Sequence, residues 1–544
     1  MKSALVVSGK VVDILNRRIF NARVYVSNQK ISKIEECEEE FDSYILPGFV
    51  DSHVHIESSM MIPSSFARAA VKHGTVATVS DPHEIANVMG IEGVNFMINN
   101  SKKVPFKFYF GAPSCVPATP FETSGAVISE KEIRTLLENP DIYYLAEMMN
   151  FPGVIYNDKD VLAKLDHANK LNKPIDGHAP GLRGENLRMY ASKNITTDHE
   201  CTSVEEAIEK INNGIKIQIR EGSAAKDFEN LFPLIKSHPD RIMFCTDDCH
   251  PDDLIKGHIN KTIKRALDKG ANLFNVLAAT TINPINHYNL TVGLLRIGDP
   301  ADFIVVNDIK EFDVKETYIN GSLVFKDGSV LFPFVDEKPI NRFYCNKISE
   351  KEISIPYKEG KLQTIVAKDG DLITGKSIDD PLVKNGFIIS DTVRDILKIV
   401  VVNRYLTGTP SIGFIKNFNL KMGAMAGSIA HDSHNLIAIG TNDRDIVTAI
   451  NRLIENEGGI VACYDNNIVD LKLNVAGLMS VEEADVIAEK YQMVNNMVKK
   501  MGSTLTAPFM TMAFMALLVI PELKIGDKGL FDVSKFEFTS LLVK

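Results

Sequence analysis

Short apolar runs, each broken by a polar or charged cluster, recur through residues 47–289. Eight can be counted: "GFVDSHVH", "TVATVSDPHE", "FKFYFGAPS", "YYLAEMMN", "KPIDGHAPG", "NITTDHECTS", "IKIQIREGS" and "RIMFCTDDCHP". Amphipathic segments such as "PSSFARAAVKHG" and "EKEIRTLLENP" lie between them. Eight strand–helix units in roughly 240 residues satisfy the requirement of a (β/α)8 barrel of the α/β class. Before that region, residues 1–46 alternate apolar and polar positions around turn residues, the pattern of a small antiparallel sheet. The same texture returns in residues 290–341, which predicts a second segment of one small β domain. Residues 342–544 mix strands, glycine-rich turns and helices, predicting an appended α+β domain. There, Ser480-x-x-Glu483 predicts a capping box opening the helix "ADVIAEKYQMVNNMVKK". Met493, Met497 and Met501 fall on one face of that helix, a core-packing pattern. The run "MAFMALLVI" reads as a buried helix, too short to span a bilayer.

Composition narrows the class. A chain of 544 residues needs more than one domain, and 45% hydrophobic residues supply a large core. A net charge of −10 argues against nucleic acid or an anionic membrane as partner. The seven cysteines are odd in number and scattered, as in reduced intracellular thiols. With no signal-peptide pattern at the N-terminus, a cytoplasmic location is expected.

Candidate chemistry begins at "LPGFVDSHVH". On a strand from Phe49 to Val54, His53 and His55 point to one face, because side chains alternate with period two. Glu147, His178, His199 and the pair Asp247–Asp248 close later strands. In a barrel such ends converge on one mouth, so four imidazoles and several carboxylates share a cavity. A single zinc wants three protein ligands and an open position. The set is too large for one ion and suits two, with Glu147 as the bridging carboxylate. Nitrogen and oxygen donors without thiolate fit Mn²⁺, Fe²⁺ or Zn²⁺ and do not choose among them. A zinc site of the cytidine-deaminase kind fails, because His55-Ile-Glu57 is followed by no P-C-x-x-C and Cys245 and Cys249 are too far apart.

With those residues in view, the chain resembles the amidohydrolase superfamily. Within it, "HVHIESSM", "SDPHEIANVMG", "LAEMMNFPGV", "DGHAPGL", "IREGSAAKD", "CTDDCHP" and the C-terminal "KNFNLKMGAMAGSIAHDSHNLIAIGTND" resemble the bacterial and archaeal adenine deaminases. The resemblance covers nearly the whole chain. It implies a TIM-type barrel, a flanking β-sandwich built from both small β segments, and a C-terminal domain. It also implies hydrolytic deamination of adenine to hypoxanthine and ammonia, in purine salvage, by attack of a metal-bound hydroxide on C6. Two divalent ions on His53, His55, Glu147, His178, His199 and Asp247 are implied, Glu147 standing where many relatives carry a carboxylated lysine. One departure is Ala507-Pro508, where Asn-Pro is expected.

The resemblance to adenosine-type deaminases divides the aspartates, Asp247 to metal and Asp248 to a purine N–H. Proton transfer falls first to Glu84 and second to His83, against the alternative that Glu84 serves only the first turn of the next helix. Arg220, Glu221 and Ser223 are the expected substrate contacts, and Phe151 a stacking partner. His431 and His434 read as a turn with a supporting or oligomer role. Expected partners are the purine base and water, in a homo-oligomer. Two rivals stand beside this reading: a cyclic amidohydrolase of the dihydroorotase or hydantoinase kind, and a non-catalytic purine-binding protein.

Overall fold

The structure is a computed structural model that describes residues 5–369 and 371–544; residues 1–4 of the first β segment lie outside it. All eight expected barrel strands form. They are β1 (Phe49–Val54), β2 (Thr75–Ser80), β3 (Lys107–Ala112), β4 (Ile142–Met148), β5 (Ile175–Gly177), β6 (Thr197–Asp198), β7 (Lys216–Arg220) and β8 (Ile242–Cys245). Every residue of β1 and β2 is buried, as expected of parallel strands covered on both faces. Strands β1 to β5 run parallel in order, as do β6 to β8. The ring closes where Val54 bridges Asp247 in parallel and where Thr196 donates to Ile175 O at 2.9 Å. Gly177 allows β5 and β6 to approach, since a Cβ there would sit 2.5 Å from Thr197 O.

The two chain segments flanking the barrel form one eight-stranded sheet. Phe303–Val306 lies antiparallel to Tyr44–Pro47, which pairs parallel with Leu5–Asp13. The alternation read in the sequence is its one-sided burial: Val7, Val11, Ala22 and Val24 face inward. The C-terminal region carries a nine-stranded sheet centred on Leu397–Val402 and Leu436–Gly440, with helix Asp443–Asn456 packed against it.

Three local expectations are corrected. Helix Ala484–Lys500 starts at Glu483 with no side-chain cap. Ser480 instead pairs with Met61, a backbone bridge that locks the C-terminal region to the barrel mouth and takes Ser480 out of capping position. On the same helix Met497 and Met501 are buried, but Met493 is 52% exposed, because the packed face is narrower than the methionine stripe. The run Met512–Ile520 is not one helix. Helix Pro508–Ala513 gives way to a 3-10 turn at Phe514–Ala516 and then to non-helical chain. Pro521 disfavours helix in the residue before it, and the released segment becomes a wall of the central cavity. Among the described residues no helix is long and apolar enough to cross a membrane.

Candidate metal centre and active site

The strand ends meet in one cavity. His55 and Asp247 sit across the closing seam, where His55 N donates to Asp247 O and Asp247 N to His53 O, both at 3.0 Å. Asp247 Oδ1 lies 3.1 Å from His55 Nε2 and 3.5 Å from His53 Nε2. Glu147 reaches both halves of the site. Its Oε1 is 3.5 Å from His55 Nε2, while its Oε2 is 2.8 Å from His178 Nδ1 and 3.0 Å from His199 Nε2. The rings of His53 and His199 stack at 4.1 Å. Tyr190 staples the ends of β4 and β5, accepting from His178 N at 3.0 Å and donating to Met148 O at 2.8 Å. All six expected ligands therefore share one cluster, buried except for the half-buried His178.

The donor chemistry fits divalent cations. His55 Nδ1 lies 3.1 Å from the Asp81 carbonyl, so its proton sits there and the Nε2 lone pair points to the cluster. Both ring nitrogens of His53 and Nδ1 of His199 are buried with no hydrogen-bond partner. Such orphaned groups each cost about 1–3 kcal/mol unless a ligand satisfies them. The nitrogens and oxygens fall into overlapping sets: His53, His199 and Asp247; Glu147, His178 and His199; and His55 with Asp81, His83 and Glu147. Burial opposes ionisation of Glu147, but His178 and His199 hold its carboxyl well below the usual range.

The two aspartates leave the barrel together. Strand β8 stops at Cys245, and Asp247 takes a left-handed backbone (φ 57°), so strand alternation does not govern them. Both line the cavity. Asp248 accepts a hydrogen bond from Ser58 Oγ. Arg220 also lines the cavity, but its fork is taken by Glu200, Asp227 (3.1 Å) and Asp247 (3.0 Å). Its guanidinium is thus held by three carboxylates, one of them the expected ligand Asp247. Glu221 and Ser223 are not brought to the cavity. Glu221, alternating outward after Arg220, pairs with Arg265; Ser223 donates to Asp253 at 2.7 Å and accepts from His250 N at 2.8 Å, bracing the loop after β8.

Glu84 opens helix α1 (His83–Met89) and faces the cavity, so it occupies the first helical turn and the site at once. His83 lies 3.3 Å from Glu147 Oε1 and 3.2 Å from Asp81. Phe151, Leu372, Phe514 and Ile520 give the same cavity an apolar wall.

The amidohydrolase family matches residues 44–324, and the adenine deaminase C-terminal domain matches residues 371–537. A protein named adenine deaminase from Methanosarcina acetivorans is 55% identical, over 98% of this chain and 99% of its own length. The chain belongs to the adenine deaminase family. Others of that name, from Salinibacter ruber and Borreliella burgdorferi, are each 49% identical, covering 100% and 98% of both chains respectively. As a member of the adenine deaminase family within the amidohydrolases, the chain is a hydrolase.

Sequence reading of this adenine deaminase family member missed Glu200, whose carboxylate anchors Arg220 and lies 3.6 Å from His199 Nε2. Its signal was present, a carboxylate directly after the histidine that follows β6. It also left His431 and His434 without contacts, and both touch Glu84.

Proposed function

We propose that this protein hydrolyses adenine to hypoxanthine and ammonia, a purine-salvage reaction. The observation that carries the reading is the meeting, in one cavity, of the histidine–carboxylate cluster, Glu84 and Asp248, in a chain of this family. His53, His55, Glu147, His178, His199 and Asp247 would hold two divalent ions, with Glu147 between them. Mn²⁺ is the expected ion, with Fe²⁺ or Zn²⁺ as alternatives, a choice that the nitrogen-and-oxygen donor set does not itself make. When bound, such ions lower the pKa of water towards about 7 and so make it nucleophilic near neutrality.

The chain's own residues do the rest. Asp248 accepts a hydrogen bond from the imidazole N–H of the base and orients C6 towards the cluster. The apolar wall, with Phe151 and Phe514, covers the purine face and excludes bulk water. Glu84 takes a proton from the attacking water and delivers it to N1. As the C6–N bond breaks, the water's second proton leaves with the amino group, so that ammonia and the hydroxypurine, as its keto tautomer, balance one adenine and one water. His83, between Asp81 and Glu84, supports the carrier.

The test is ammonia release from the Mn²⁺-supplemented protein over a panel of purines and cyclic amides. Adenine should be the substrate, with hypoxanthine formed in equal amount. Turnover of dihydroorotate with none of adenine would overturn the reading in favour of a cyclic amidohydrolase.

A further inference from the structure

The C-terminal region reaches the centre of the active site through two histidines. Glu84 is 3% exposed, and each of its oxygens meets one of them. His431 Nδ1 lies 2.9 Å from Oε1, and His434 Nε2 contacts Oε2. The loop carrying the pair is rigidly held. Tyr405 donates to Ser433 O at 2.6 Å, Asn435 Nδ2 to Thr123 O at 2.9 Å, and His434 N to Ala430 O at 2.7 Å. Residues Ala430 to Asn435 are all buried.

Two roles suit a carboxylate between two imidazoles: a further metal site, or a hydrogen-bonded clasp. The tautomer of His434 decides between them. Its Nδ1 accepts from Ala430 N at 3.4 Å and so carries no proton; the proton of the neutral ring is then on Nε2, aimed at Glu84. A ring in that state donates to the carboxylate and has no Nε2 lone pair for a cation. Burial, with His431 and Arg404 nearby, pushes His434 down to about 4, which keeps the ring neutral.

We propose that His431 and His434 are positioning residues, through which the C-terminal domain clasps both oxygens of Glu84 and fixes the proton carrier against the substrate. This rests on the assignment of Glu84 as that carrier. A clasp from a residue 350 positions away also gives the C-terminal domain a part in the reaction: without it, Glu84 sits on a short helix with His83 at 3.4 Å beside it.

Two variants at one position test the clasp. His434 has a left-handed backbone (φ 55°), which asparagine tolerates, so His434→Asn keeps the turn while its donor falls short of Glu84. His434→Gln extends an N–H donor to similar reach. His434→Asn should lower kcat roughly 10- to 100-fold, the cost of a misplaced catalytic group, with KM for adenine and the bound-metal count unchanged. His434→Gln should recover most of the loss. In a Glu84→Gln background, His434→Asn should cost nothing more, because it acts only through that carboxylate. His431 reaches Glu84 through Nδ1, a position an asparagine amide reproduces, so His431→Ala should give the loss and His431→Asn recover most of it; this pair serves if the His434 variants do not fold. An equal loss in the Glu84→Gln background would reveal a merely structural residue and overturn the proposal. So would the loss of an ion from His434→Asn, or an unchanged kcat for both His434→Asn and His431→Ala while Glu84→Gln is inactive. If Glu84→Gln itself turns over normally, the carrier assignment is what fails, and the clasp falls with it.

Discussion

Asp248→Asn probes the recognition of the base. Ser58 Oγ donates to Asp248 Oδ1, and among the described residues no other side chain bonds this carboxylate. The second oxygen is therefore left to a ligand in the cavity it lines. In the variant, if the amide oxygen keeps the Ser58 bond, the NH2 group faces the purine N–H, donor against donor. That loses a hydrogen bond to a charged group, about 1.5–3 kcal/mol, or roughly 10- to 150-fold in affinity. A serine hydroxyl also accepts, so the amide can turn over and offer its oxygen to the base. Only the charge assistance is then lost, about half the bond's strength, or roughly 5-fold. KM for adenine should thus rise between about 5- and 150-fold, with metal content intact. Adding Ser58→Ala, which frees the amide to choose, should bring the loss to the lower figure. Steady-state ammonia release and metal analysis on the same preparations provide the assay. A KM within twofold of wild type would refute the contact. If Asp248→Asn loses metal while Asp247→Asn keeps it, the roles of the two aspartates are reversed.

Glu147→Gln removes a charge and one good donor atom from a group touching His55, His178 and His199. Bound metal should fall below two ions per chain and turnover should drop by more than the 10- to 100-fold typical of an outer partner, with the circular dichroism of the fold retained; normal metal content and rate would make it a plain loop carboxylate. Lys524 is fully buried, donating to Leu372 O at 2.7 Å and Phe514 O at 3.0 Å, and burial pushes its ammonium from the ordinary 10.5 down to about 7. Below pH 7 it is charged folded and unfolded alike; from 7 to 10.5 only the unfolded chain holds the proton, so stability should rise with pH through that window, by up to about 1.4 kcal/mol per unit. Thermal midpoints at pH 7 and pH 9 should show wild type gaining on Lys524→Met, and parallel shifts would contradict the burial argument.

The barrel was legible because each strand is a short apolar run closed by polar residues. The same punctuation marks where chemistry sits, so His53, His55, Glu147, His178, His199 and Asp247 could be gathered before any coordinates. What was hidden depends on contacts that no local pattern encodes. His431 and His434 lie in a turn whose own sequence says nothing about Glu84, 350 residues away. Glu221 and Ser223 were expected inside from nearness to a strand end, but one alternates outward and the other braces a loop. Ser480 matches a capping motif and is diverted by a bridge to Met61. The apolar stretch after Ala513 looks like core helix, yet Phe514, Leu517, Val519 and Ile520 line the cavity, because an apolar wall facing a ligand and one facing a core have the same composition.

The proposed hydrolysis of adenine requires that the six-residue cluster hold two divalent ions. The most direct test strips the protein with a chelator and titrates Mn²⁺ back while ammonia release from adenine and bound metal are followed together. Activity should be absent in the stripped protein and climb to a break at two ions per chain. Full activity at one ion, or in metal-free protein, would contradict the account.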